Sequence, residues 1–281
     1  MGLKAIAFGS YKSGKTAFGL SMAALGPVGV IDTEDRLEWY TVPAVTQPRP
    51  FPFDNPRRVR PLPFLAAATG IIYLVQTKEV GRVGQAVEGF TRDASLVGVV
   101  IDSGSVVWDL LQDTRDESDP RTAMLSWAPV KKTNRRLMYA AMSGGKHLLI
   151  TAHTQEKFTK VGRELVVSGV RPWLEKKTPH WADLTLEFTY PDGAPHPVMR
   201  VDGEGVGGQG GIVRGAILGD YTKTPPEPAP TFPGLLQRLA FVAPPPPGDP
   251  DPDELEYRNR TTVEAVGGAP KIPGVDEDAG R

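Results

Sequence analysis

The sequence predicts an α/β fold: a mostly parallel sheet with helices on both faces and an antiparallel β supplement. Apolar strand-like runs alternate with helix-like segments as far as residue 152, and shorter β-like segments follow. The stretch Gly9–Thr16, GSYKSGKT, joins the first apolar run to an apparent helix through a glycine-rich turn.

Residues 3–8, LKAIAF, read as a buried strand. Residues 15–25 place Phe18, Met22 and Leu25 on one face at a 3.6-residue period, which predicts a helix. A strand at 28–31 comes next. Prolines 43, 48, 50, 52, 56, 61 and 63 then rule out a regular helix or a central strand, so 41–70 is a proline-rich insertion. Strands resume at 71–75, 97–101 and 147–152, with helices between them at 80–91 and 127–142. Segments 164–170, 183–189 and 198–201 are shorter and read as the antiparallel extension. The stretch 202–211 is a glycine-rich loop, and 232–242 is one short docked helix. The predicted domain is 1–242; residues 243–281, rich in proline and acid, are expected to be a disordered tail.

Composition narrows the function. The chain has 281 residues, 40% of them hydrophobic, enough for a sizeable core. A formal charge of -1 gives no overall basic field, so any contact with nucleic acid needs a local patch. With no cysteine, disulfides and thiolate metal sites are excluded. No apolar run approaches the roughly 18 residues of a membrane span, and no signal peptide is recognisable. A cytoplasmic protein without membrane contact is expected.

GSYKSGKT matches G-x-x-x-x-G-K-[ST] in the strand–loop–helix setting that the motif requires. In such a loop, Gly9, Ser10, Tyr11, Lys12, Ser13, Gly14, Lys15, Thr16 and Ala17 curl so that backbone N–H groups face phosphate oxygens. Lys15 reaches the β- and γ-phosphates, and Thr16 ligates magnesium. The expected ligands are therefore ATP and Mg2+. A second acid for the metal is Asp102, at the tip of the apolar run LVGVVIDS. VIDTED offers three acids for orienting or activating water: Asp32, Glu34 and Asp35. The residue pattern alone does not choose among them.

GSYKSGKT, then IDTE, VVIDS and HLLITAH together resemble the RecA-like P-loop ATPases. Among these, the chain looks most like the phage-encoded nucleotide-binding proteins of the single-strand annealing recombinase type. The resemblance covers roughly residues 3–240 and implies a RecA-like P-loop NTPase core. It places Glu34 at the family's catalytic glutamate and His153 where the family keeps a polar γ-phosphate sensor, often glutamine. Histidine there is a departure that would make the sensor pH-sensitive. The resemblance also implies sites shared between subunits, hence a homo-oligomer. Lys176 and Lys177 are the candidates for a cation delivered to a neighbour's phosphates, with Arg163 and Arg171 as weaker rivals.

The resemblance assigns single-stranded DNA to loops after the fourth and fifth strands, here 112–122 and 154–169. The second carries Lys157, Phe158, Lys160 and Arg163, cations beside an aromatic. Lys131, Lys132, Arg135 and Arg136 form a basic stripe on the 127–142 helix, which reads either as a backbone track or as an ordinary solvated face. Arg57, Arg58 and Arg60 in the insertion read either as part of a partner-binding or DNA-facing loop or as an irregular cover over the sheet edge. The tail either recruits a replication or single-strand-binding protein or is a linker. Three functions follow: a DNA-dependent ATPase of phage recombination, annealing or replication; an ATPase driving a structural or packaging assembly; and a small-molecule kinase. The late strands stand where a kinase would carry a helical lid, which counts against the third.

Overall fold

The computed structural model describes residues 2–43, 56–60, 70–115, 126–202 and 215–241. The described residues as far as Leu239 form one compact unit. The tail, most of the proline-rich insertion and most of the 202–211 loop lie outside the described residues.

In chain order the described residues form β1 (Lys4–Gly9), α1 (Lys15–Leu20), β2 (Val28–Asp32), β3 (Thr41–Pro43), β4 (Pro56–Val59), β5 (Ile71–Gln76) and α2 (Val80–Arg92). There follow β6 (Gly98–Asp102), α3 (Gly104–Asp113), α4 (Trp127–Ser143), β7 (His147–Val161) and β8 (Glu164–Pro172). The last are β9 (Leu184–Thr189), β10 (Val198–Val201), β11 (Ile217–Leu218) and α5 (Phe232–Phe241). The sheet order is β11-β10-β9-β1-β7-β6-β2-β5-β4-β3, with β8 off this path and paired to β7. Six neighbours in the middle, β9-β1-β7-β6-β2-β5, run parallel. The edges β10–β11 and β4–β3 are antiparallel. This mixed sheet is that of a RecA-like P-loop NTPase core.

Both faces of the sheet are covered, because alternate residues of a strand point to opposite sides. Ile6, Phe8, Ile31, Val99, Ile101 and Ile150 pack with α2, α3 and α4 through Val83, Phe90, Val107 and Met138. Ala5, Ala7, Val30, Val100 and Leu149 pack on the other side with Phe18, Leu20, Phe232 and Leu235 of α1 and α5. Phe18 lies 5.1 Å from the Phe188 ring and 5.7 Å from Phe232, which ties the first helix to β9 and α5.

Four expectations are corrected. The segment at 183–189 is antiparallel on one side only: β9 pairs antiparallel with β10 but in parallel with β1, and so extends the central sheet. The loop expected at 154–169 is a two-stranded ribbon, in which β7 continues past the sheet and β8 returns along it. The helix expected at 15–25 ends at Leu20 and passes into a 3-10 turn over Ser21–Ala24. The stretch 112–122 begins inside α3, a helix that sequence reading left out, and its residues 116–122 lie outside the described residues. Strands β3 and β4 at one sheet edge accommodate Pro43 and Pro56 near the periphery, where fewer ladder donors are needed.

Candidate functional site

The parallel register gathers the motif residues at one sheet edge. Gly9 pairs with His153, Asp32 pairs with Asp102, and Ile101 pairs with Ile150, so the C-terminal tips of β1, β7, β6 and β2 lie side by side. Open α/β sheets bind ligands at this edge. A cleft of about 380 Å³ opens there, lined by Tyr11, Lys12, Ser13, Gly14, Lys15 and Thr16 from the loop and by Glu34, Asp102 and His153. Arg36, Trp39, Tyr40 and Thr151 complete its wall.

The loop is shaped by backbone demands. Gly14 has φ 91°, a left-handed conformation that suits glycine, and any Cβ there would stand 2.6 Å from Pro197 Cγ. The chain can therefore turn straight into α1 at Lys15. The Lys15 ammonium donates to the Gly9 carbonyl at 3.0 Å, the Ser10 carbonyl at 2.8 Å and Ser13 Oγ at 3.2 Å. Burial lowers its pKa, while Asp102 and Glu34 oppose that shift.

Asp102 is buried at the tip of β6. Thr16 Oγ1 donates to its Oδ2 at 2.8 Å, and Thr151 Oγ1 donates to its Oδ1. Loss of solvent raises the Asp102 pKa, and the two hydroxyl donors pull it back down. This hard-oxygen pair fits Mg2+, which takes one or two protein oxygens and fills its remaining positions from water and substrate phosphate. Among the described residues no group of three or more His, Cys, Asp or Glu could hold a metal ion.

The three acids of VIDTED are separated by their partners. Asp32 is fully buried; its Oδ1 accepts the Glu34 N–H at 3.0 Å, and its Oδ2 accepts from Arg36 N and Leu37 N at 3.0 and 3.1 Å. It pins the turn and does not line the cleft. Asp35 has φ 56° and pairs with Lys78 at 2.8 Å on the surface. Glu34 alone of the three lines the cleft. Its Oε1 meets His153 Nε2 at 2.6 Å and its Oε2 meets Arg36 Nη1 at 3.2 Å. The hydrogen bond from His153, with smaller help from Ser103 and Arg36, outweighs burial and lowers the Glu34 pKa to about 2.

That shift has a consequence for stability. A carboxyl whose folded pKa lies below its unfolded one stabilises the fold above the unfolded value, and loses that contribution as pH falls through the folded value. For Glu34 the window runs from 4.5 down to about 2. Chemical denaturation across that range should give a flatter stability curve for Glu34→Gln than for the wild type. Parallel curves would show that Glu34 gains nothing from its partners.

The remaining candidates lie outside the cleft lining. Gly9, Ser10 and Ala17 belong to the loop and α1, and two of them present carbonyls to Lys15. Lys176 and Lys177 are exposed on the turn after β8. Lys157, Phe158 and Lys160 stand on the outer part of β7 and Arg163 at the ribbon tip, all four outside the sheet core. Lys131, Lys132, Arg135 and Arg136 line the exposed side of α4, opposite Val130, Asn134 and Leu137. Sequence reasoning missed Arg36, Trp39, Tyr40 and Thr151. Only Thr151 carried a signal, since it stands two residues before His153 on a strand and so shares its face.

A family model described as an AAA domain matches residues 1–204. No curated protein matches the chain. Among solved structures, a crystal structure of the RadB recombinase is 13% identical, with a TM-score of 0.43 over 76% of this chain and 84% of that chain.

Proposed function

Because the chain belongs to this AAA domain family of P-loop ATPases, we propose that it binds and hydrolyses ATP with Mg2+ and acts on single-stranded DNA in phage recombination, annealing or replication. One observation carries the hydrolytic part: Glu34 faces the same cleft as Lys15, Thr16 and Asp102. Lys15 neutralises β- and γ-phosphate charge, and the loop N–H groups hold the phosphate oxygens. Thr16 and Asp102 would hold Mg2+, which supplies charge neutralisation between those phosphates. Glu34 orients the attacking water and accepts its proton. At a pKa of about 2 it is a weak base, so it must first part from His153 and Arg36. His153 Nε2, released from Glu34, donates to the γ-phosphate.

The DNA part rests on the ribbon. Phe158, 54% exposed, stands among Lys157, Lys160 and Arg163, which supplies a stacking face beside phosphate-binding cations. The same ribbon favours a second reading, an ATPase that drives an assembly. Leu165, Val166, Val167 and Val170 are also exposed there, more apolar surface than a phosphate track requires. The two readings share the homo-oligomer, with Lys176 or Lys177 presented to a neighbour.

Phosphate release measured with and without oligothymidylate, beside the mass of the particle, tests both readings. Stimulation by the oligonucleotide is expected. Hydrolysis without stimulation or strand binding would leave the assembly reading, and phosphate transferred to a nucleoside would replace both by a kinase.

A further inference from the structure

The cleft contains a cation that no motif predicts. Arg36 lines it, with Nη1 3.2 Å from Glu34 Oε2 and the guanidinium carbon 4.5 Å from the centre of the Tyr11 ring. Tyr11 belongs to the phosphate loop and Glu34 to the turn after β2, so one side chain reaches across from the acid to the loop. Its root is fixed: the Arg36 and Leu37 N–H groups both donate to the buried Asp32 carboxylate. The arm itself is half-exposed, 48% by side-chain surface.

The other cations of the cleft wall are differently employed. Lys15 is folded onto the loop carbonyls of Gly9 and Ser10. The Lys12 ammonium lies 5.8 Å from the Tyr11 ring centre. Neither forms an ion pair with Glu34; Arg36 does.

We propose that Arg36 is the cation that meets the γ-phosphate from within the same chain, in the role assigned above to Lys176 or Lys177 of a neighbour. The inference rests on the ATPase reading and adds a residue to it. A guanidinium has five N–H donors in a planar fork that fits phosphate oxygens, and the ion pair with Glu34 leaves donors to spare. A γ-phosphate carries more charge than a carboxylate, so its arrival draws the guanidinium off Glu34 Oε2. That oxygen is then open to the attacking water. As the water oxygen bonds to the γ-phosphorus, the bond to the bridging oxygen breaks and its electron pair leaves on ADP. The water proton passes to Glu34, and the charge on the γ-oxygens faces Arg36. Binding of the correct nucleotide thus frees the base it needs.

The test compares ATP and ADP binding to full-length wild type and Arg36→Ala by calorimetry with magnesium present. Loss of one charge-assisted contact to the γ-phosphate should lower the ratio of ATP to ADP affinity about 10-fold. ADP affinity should hardly change, since ADP lacks that phosphate. Arg36→Lys should recover part of the ratio, because it restores the charge without the fork. An unchanged ratio, or equal loss of ATP and ADP affinity, would overturn the proposal. A mixture of Arg36→Ala with Glu34→Gln separates cis from trans. It should be as inactive as its components, whereas recovered turnover would place the cation in a neighbouring subunit and overturn the cis assignment. A wild type that binds ATP without hydrolysing it would sink the ATPase reading alone, because the affinity ratio still decides the contact.

Discussion

Lys15→Ala is expected to lower ATP affinity by about 10²-fold and turnover by about 10⁴-fold or more, the largest effect of any single change in this chain. The ammonium is partly desolvated and stands between the loop and two carboxylates, Asp102 and Glu34. A triphosphate entering this cleft brings several negative charges close to those acids. Without Lys15 the like charges face one another in a medium less polar than water, where repulsion is stronger than at an exposed surface. Turnover suffers more than binding because charge on the β–γ bridging oxygen grows as the bond breaks. Equilibrium binding and phosphate release on the same preparation read the two effects. The fold should survive, since the partners of Lys15 are two loop carbonyls and a hydroxyl, none of them a core contact. A melting curve close to wild type with ATP affinity within a few-fold of it would remove Lys15 from the phosphate site.

The parts of the fold legible in the sequence are those whose burial is written locally. Strands β1, β2, β5, β6 and the first half of β7 are apolar runs buried on both faces, and such runs need no tertiary information to be noticed. The direction of β9 is different. LTLEFT has the same side chains whichever way it pairs; the path from Pro172 over the sheet edge sets it parallel to β1. The outer half of β7, TQEKFTKV, has no buried side of its own, and its backbone donors are satisfied by pairing with β8. A ribbon of this kind resembles a loop in every local property. Helix α3 follows SG directly after a strand, a composition that favours a turn; the Ser103 side chain converts it into a helix start by accepting from the Val106 N–H.

At the cleft, the loop was legible from the fixed spacing of its motif, and Asp102 from its place at the tip of an apolar run. The choice of Glu34 over Asp32 was not legible from the residues alone. It depends on which acid the backbone consumes, and Asp32 is consumed by three N–H groups. Arg36 was invisible for a related reason. Only the left-handed turn at Asp35 brings a residue two places beyond Glu34 back beside it.

Glu34→Gln should keep ATP affinity near wild type while turnover falls about 10³-fold. The replacement preserves size and hydrogen-bonding shape but removes the only carboxylate of the cleft wall apart from the buried Asp102. Asp102 does not stand in, because it is buried beside Thr16 and Thr151, where its role is to hold the metal. The turn that carries residue 34 is held by Asp32 through backbone N–H groups, so the amide should occupy the same place. An amide still accepts a hydrogen bond from His153 or Arg36, but it cannot take the water proton, and the step with the largest barrier loses its acceptor. Single-turnover phosphate release with pre-bound ATP reads that step without contamination from binding or ADP exit. Slow release from a fully loaded protein is the expected outcome. Release at the wild-type rate would move the base elsewhere, and failure to load ATP would make Glu34 part of the binding site instead.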